Sequence, residues 1–100
     1  MSRREYNIDP ILINKLMVTK VIIDSHYEEK HGNSINDDLI IELVKLLNGR
    51  REVPDSADED FQYFSTILYF EDKSYNLVWL LEDELIYIGV VNAYRDNRKV

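Results

Sequence analysis

The stretch FQYFSTILYFEDKSYNLVWLLEDELIYIGVVNAYR, residues 61–95, decides the fold of this chain. Its apolar and aromatic runs, 61–70, 74–81 and 85–95, are separated by the short acidic segments EDK and EDE. Runs of this length and composition are typical of strands, and connections this short join antiparallel neighbours. The second and third runs are almost continuously apolar, as in strands at the centre of a sheet. We therefore predict an antiparallel meander sheet of three to four strands.

The segment SINDDLIIELVKLLNG, residues 34–49, is predicted to form the longest helix. Ser34 or Asn36 can cap its start, and the Asp37-Asp38 pair suits the positive end of the helix dipole. Gly49 is expected to stop it. Its apolar residues recur at helical spacing and form one stripe: Ile35, Leu39, Leu43, Val44 and Leu47.

The N-terminal third is less regular. Residues 11–23 fit a helical stripe only roughly, whereas VTKVIID, residues 18–24, is β-branched and favours a strand. We predict a short N-terminal helix that gives way to an extended segment. Ser25 and Glu28 then form a capping-box pattern that begins a short helix, and Gly32 ends it. The expected fold is α+β: N-terminal helices packed on the meander, in one domain over residues 1–100.

Composition limits the chemistry. The chain has 100 residues and no cysteine, so disulfides, thiol chemistry and cysteine-ligated metals are excluded. The start of the chain is polar, unlike a secretory signal, and no apolar run approaches the length of a membrane span. We expect a soluble cytoplasmic protein that does not bind a membrane. The formal net charge is −7, so phosphate binding would require a local basic patch.

The segment IIDSHYEEKHG, residues 22–32, holds both histidines of the chain. On a helix His26 and Lys30 share a face, whereas His26 and His31 diverge by about 140°. That spacing is poor for a shared metal ion, and we expect neither a metal nor another cofactor. A histidine can act as general acid or base near neutral pH. The alternative is that one histidine packs or caps and the other is solvated.

The segment VNAYRDNRK, residues 91–99, leaves the last predicted strand. Asn92 and Tyr94 are two residues apart and share a face of that strand, whereas Arg95 points the other way. Polar side chains at the end of a central strand often line a cleft. The alternative is that Tyr94 packs half-buried and Arg95 pairs with Asp96 or with an acid in a loop.

In this order, the histidine helix, the glycine turn, the second helix and the meander ending in Tyr-Arg resemble the RelE/ParE-like toxin superfamily, of the barnase–EndoU–colicin–RelE nuclease-like fold. The likeness covers roughly residues 20–97 and is closest to small members with a Ser-x-His first motif. The family histidine falls on His26, after Ser25. The family's basic residue falls on Lys30, where an arginine is more usual. The polar residues ending the last strand fall on Asn92, Tyr94 and Arg95.

The resemblance implies a metal-independent endoribonuclease toxin of a toxin–antitoxin system, with RNA and a cognate antitoxin as partners. A base would activate the ribose 2′-OH to attack the adjacent phosphate, basic groups would stabilise the phosphorane, and an acid would protonate the leaving oxygen. The implied catalytic residues are His26, Lys30, Tyr94 and Arg95. The implied substrate-binding residues are Asn92, His31 and Arg98.

Other functions are consistent with the same sequence. The net charge and the acidic segments DSADED (55–60) and EDE (82–84) favour a non-enzymatic acidic binding protein, such as an immunity protein, a phage-encoded inhibitor or a nucleic-acid mimic. Such a protein would show an acidic exposed face. A further alternative is a structural or oligomerising domain, such as a homodimer, that uses the exposed edge of the meander.

Overall fold

A computed structural model of the chain describes residues 3–82, 84 and 86–96. Within these residues, six strands form one mixed sheet in the order β1-β2-β6-β5-β4-β3. The strands are β1 (Arg3–Ile13), β2 (Leu16–Asp24), β3 (Ser56–Ala57), β4 (Phe61–Phe70), β5 (Lys73–Glu82) and β6 (Ile88–Asp96). Between β2 and β3 lie a 3-10 turn (Ser25–Tyr27) and the helices α1 (Glu28–His31) and α2 (Asp37–Lys45).

The predicted fold class is wrong, because the N-terminal segment is a β-hairpin and not a helix. Asn14 and Lys15 adopt positive φ angles of 49° and 67°, which form a tight two-residue turn between β1 and β2. The apolar run that fits a helix only roughly is therefore divided between paired strands, with Leu12 opposite Met17. The sheet is also not a purely antiparallel meander, because β2 pairs in parallel with β6, Val21 opposite Ile88.

The three strands predicted for the meander are present, but the sheet has six strands among the described residues and not the three to four predicted. β4, β5 and β6 pair antiparallel in chain order, and Phe64 lies opposite Trp79 at the centre. Glu71 and Asp72 form the β4–β5 turn with positive φ angles of 50° and 67°. β6 begins at Ile88, later than predicted, and Leu85 lies outside the described residues.

The predicted long helix is also confirmed, although it covers fewer residues than the segment 34–49 over which it was predicted. Asn36 caps α2, since its Oδ1 accepts the Leu39 N–H at 2.8 Å. The helix ends at Lys45, and the chain continues through turns to Gly49, whose φ is +84°. Among the described residues, no helix is long and apolar enough to cross a membrane.

Helix α2 covers one face of the sheet. Strand pairing places alternate side chains of β4, β5 and β6 on the same side, and these side chains are buried. Trp79 stacks on Phe64 there, with ring centroids 4.0 Å apart. The apolar side of α2, with Ile40, Leu43 and Val44, belongs to the same buried cluster. On the opposite side, which we call the open face, lie the half-buried side chains Tyr63, Ile67, Val78 and Leu80.

The sheet is strongly curled. Glu52, in the connection after α2, exchanges hydrogen bonds with the Asn14 side chain at the β1–β2 turn, of 2.7 and 3.0 Å. Its carboxylate accepts the Thr66 hydroxyl of β4 at 2.6 Å, and Thr66 accepts the Trp79 indole N–H at 3.0 Å. In a flat sheet β1 and β4 would lie four strand spacings apart, about 19 Å. Contact of one residue with both the β1–β2 turn and β4 therefore indicates the curl.

We expect the substitution Lys15→Gly to stabilise the protein by about 1 kcal/mol, because glycine adopts a positive φ without steric cost and Asn-Gly suits this turn. The free energy of unfolding in urea measures the effect. The matched control is Lys20→Gly, at an exposed position within β2, where glycine should cost about 0.5–1 kcal/mol. Equal destabilisation by both substitutions would contradict the turn geometry.

Candidate functional site

The predicted histidine segment lies beside the last residues of β6. The pairing of β2 with β6 stops at Ile23 and Val90, whereas β6 continues to Asp96. The 3-10 turn that follows β2 packs against this continuation of β6. Asp24 begins the turn by accepting the His26 N–H at 2.9 Å, so it takes the capping role predicted for Ser25.

The structure brings His31 into contact with Tyr94. Their ring centroids are 5.4 Å apart and the rings are tilted by 31°. His31 is the last residue of α1 and Tyr94 is near the end of β6, so the contact joins the two segments that the sequence singled out. The predicted division of roles placed His26, and not His31, at the centre of the site.

His26 and Lys30 lie on the exposed side of the same short helical segment. The His26 Nδ1 atom is 3.3 Å from a carboxylate oxygen of Glu29, and about half of the His26 side chain, 48%, is exposed. Because Nδ1 is the nitrogen that faces Glu29, Nε2 is the nitrogen of this imidazole left for a ligand.

The end of β6 divides its polar residues between the faces of the sheet, as predicted. Asn92 lies opposite Val78 and Tyr94 opposite Asn76, and both side chains are on the open face. Arg95 follows Tyr94, so its side chain is on the opposite face of the strand, where it is exposed. The Asn92 side chain accepts the N–H of the next residue at 2.9 Å. Arg98, the remaining predicted site residue, lies outside the described residues.

Sequence reasoning missed the polar cluster that holds this region in place. The Arg4 guanidinium donates to both carboxylate oxygens of Asp37, at 2.5 and 2.8 Å. The hydroxyls of Tyr6 and Tyr27 also donate to Asp37, at 2.5 and 2.7 Å. Arg4 further donates to Glu28 at 2.5 Å. We call these five residues the Asp37 cluster.

The cluster favours an ionised carboxylate at its centre. The hydrogen bonds from Arg4 are the main cause that lowers the pKa of Asp37 from 3.8 to about 2, and those from Tyr6 and Tyr27 act in the same direction. The same interaction raises the pKa of Arg4 above its ordinary value. Burial is the main cause of the raised pKa of Tyr27, followed by its hydrogen bond to Asp37.

The Asp37 cluster fixes the orientation of the histidine segment. Tyr27 lies between the histidines in sequence, is buried, and donates to the first residue of α2. Anchoring Tyr27 inward leaves His26 and Lys30 outside and places His31 against β6. Asp37 is recognisable in sequence as an acid in the first turn of a helix, but nothing local indicates that Arg4 and Tyr6 are its partners.

The described residues contain no group of three or more metal-ligating side chains arranged to hold a metal ion. A cavity of about 120 Å³ lies on the open face beside Gly89 and Tyr87, and a groove of about 540 Å³ lies between β1, α2 and the β4–β5 turn. Those predicted site residues that the structure describes line neither of them. The His31–Tyr94 site is therefore separate from both.

Comparison of the chain with protein-family models, curated proteins and solved structures finds no significant match. Support for a function therefore comes from the geometry of the chain itself.

We expect Asp37→Asn to lower the free energy of unfolding by about 2 kcal/mol at pH 7, because a neutral amide loses the charged hydrogen bonds of the cluster. The pKa of Asp37 is depressed in the folded state, so its stabilising effect is present above pH 3.8 and is lost as the pH falls towards 2. Urea unfolding across this range measures it. Asp38→Asn, at the exposed neighbouring position, is the control and should have a small effect. A pH-independent gap between Asp37→Asn and the wild type would contradict the assignment.

Proposed function

We propose that the chain is a small metal-independent endoribonuclease of the toxin–antitoxin kind, with its active site where α1 meets the end of β6. The observation that carries the proposal is the contact between His31 and Tyr94. It joins an imidazole, which can transfer protons near neutral pH, to an aromatic ring on which a nucleobase can stack.

The side chains at this place suit cleavage by the ribose 2′-OH. His31 accepts the 2′-OH proton as the oxygen attacks the adjacent phosphorus. The bond from phosphorus to the 5′-oxygen breaks, and that oxygen takes a proton from His26, whose Nδ1 faces Glu29. The products are a 2′,3′-cyclic phosphate and a free 5′-hydroxyl. Lys30 supplies positive charge to the phosphorane, and Tyr94 stacks or donates a proton.

The charge around the site is more favourable for RNA binding than the net charge of −7 suggests. Glu28 pairs with Arg4, so this neighbouring acid is partly neutralised within the protein. Lys30, next to His31 in sequence, is exposed and adds positive charge. An acidic protein needs such local positive charge to bind RNA. Such an enzyme would act on cytoplasmic RNA, and a cognate antitoxin would be its protein partner.

The test is cleavage of a labelled single-stranded RNA by the purified chain in the presence of a metal chelator. We expect products with a 2′,3′-cyclic phosphate, and no cleavage next to a 2′-deoxynucleotide. His31→Ala should lower the rate about 100-fold or more, because it removes the general base. Tyr94→Phe keeps the ring contact and separates stacking from proton donation.

The matched control is Lys45→Ala, which removes an exposed charge from the last residue of α2 and should leave the rate unchanged. Each variant should unfold at the same urea concentration as the wild type. Intact RNA after incubation with the wild-type chain would rule out the proposal, as would full activity of His31→Ala.

A second candidate, an acidic protein that binds a basic partner, is supported by the register of β4 and β5. Phe61 pairs with Glu82, so the connection at residues 58–60 lies next to the one that begins at residue 82. Glu59, Asp60 and Glu84 are exposed on these connections. Acids from separate parts of the sequence therefore collect at one end of the sheet, where they would attract a cationic partner.

The double variant Glu59→Gln with Glu84→Gln distinguishes the candidates. If the acidic end binds, its affinity for a lysine- and arginine-rich peptide should fall about tenfold at low salt, whereas His31→Ala should bind as the wild type does. Isothermal titration at two salt concentrations measures both. Equal affinity of the double variant and the wild type would contradict binding at this end.

A further inference from the structure

The edges of the sheet are protected to different extents. The outer edge of β1 carries charged side chains and Pro10, and its register shifts between Asn7 and Ile11. Its far end is covered, because the Gly49 N–H donates to the Leu12 carbonyl at 2.6 Å. Charge, proline and irregular register are the features by which natural sheets prevent pairing with another chain.

The other edge lacks these features along most of β4. β3 pairs only with Gln62 and Tyr63 among the described residues, whereas β4 continues to Phe70. The run from residue 61 to residue 70 contains no charged residue and no proline. We call residues 64–70 the β4 edge.

Some backbone N–H and C=O groups of the β4 edge point away from β5, where another strand could pair with them. The carbonyls of Phe61 and Tyr63 accept from the connection that contains β3, so odd-numbered residues of β4 direct their backbone groups away from β5. By the same alternation Ser65, Ile67 and Tyr69 do so further along. Within the described part of the chain, no backbone hydrogen bond other than those of the β4–β5 ladder reaches residues 64–70.

Exposed apolar side chains flank this edge. Tyr69 is 57% exposed on the strand itself. Val53, which is 88% exposed, lies in the connection that passes beside β4 between Glu52 and Asp55. That connection does not pair with residues 64–70 as a further strand would. Its residue Glu52 contacts the Thr66 side chain, which lies on the helix-covered face.

We propose that the β4 edge pairs antiparallel with the same edge of a second copy of this chain. A two-fold axis at Ile67 would place Ser65 opposite Tyr69 of the second copy and join the two sheets. The odd-numbered residues would then exchange their N–H and C=O groups across the axis.

A second copy fits this edge better than a charged partner does. Each chain carries a formal charge of −7, and only an uncharged edge lets two such chains approach without facing like charges. An antiparallel pair about a two-fold axis is complementary to itself, so one exposed edge is sufficient. The half-buried side chains of the open face would also continue from one sheet into the other.

The test is sedimentation equilibrium of the full chain over about a hundredfold range of concentration. We expect a monomer–dimer equilibrium that shifts to the dimer as salt is added, because salt screens the repulsion between acidic chains. The double variant Ser65→Lys with Tyr69→Lys places like charges opposite each other in the proposed register. We expect it to raise the dimer dissociation constant about tenfold or more.

Met17→Lys is the matched control, since Met17 is also an apolar strand residue that is 57% exposed, and we expect the dimer to be unchanged. Circular dichroism establishes that the variants are folded. Hydrogen exchange gives an independent measurement: the amides of Ser65, Ile67 and Tyr69 should become protected as wild-type concentration rises. A wild-type chain that stays monomeric overturns the proposal, and so does a folded double variant that dimerises as tightly as the wild type.

Discussion

The parallel pairing of β2 with β6 is the constraint on which the rest of the structure depends. Parallel neighbours cannot be joined by a tight turn, so the chain that leaves β2 has to cross the sheet before it returns. It passes the end of β6 as α1, crosses one face as α2, reaches the far edge at β3, and comes back through the meander to lie beside β2. The crossover explains why α2 covers one face and why β4 lies near an edge that short β3 covers only in part.

The beginning of the crossover is where the candidate site forms. β2 ends before β6 does, so the 3-10 turn occupies the place beside the last residues of β6. The Asp37 cluster ties this turn to β1 and α2 through charged hydrogen bonds. The orientation of the histidines thus follows from the burial of Tyr27 and its hydrogen bond to Asp37, because this contact fixes which side of the segment faces inward. This arrangement gives the proposed ribonuclease a rigid support for side chains that lie at the surface.

The candidate site was predictable in part. The segments around His26 and Tyr94 were both recognisable in sequence, one from its titratable residues and the other from its position at the end of a strand. Helical spacing favoured His26 paired with Lys30, whereas the structure places His31 against Tyr94. Spacing along a helix tells which residues share a face, but it does not tell which face meets a strand from the other end of the chain. Arg4 and Tyr6, two of the partners of Asp37, are more than 30 residues away in sequence and leave no local signal.

The sequence by itself determined the secondary structure of those segments whose pattern is local. The strands of the meander, the acidic connections, the strand after residue 18 and the Asn36-capped helix all follow from alternation, helical period and capping residues. The tertiary structure alone decided that residues 11–24 belong to a hairpin, that β2 lies parallel to β6, and that one edge is protected while the other is open. The physical reason is that strand order and pairing depend on burial and hydrogen bonds between distant segments. An apolar run that fits helix and strand about equally well takes whichever form the rest of the core can pack against.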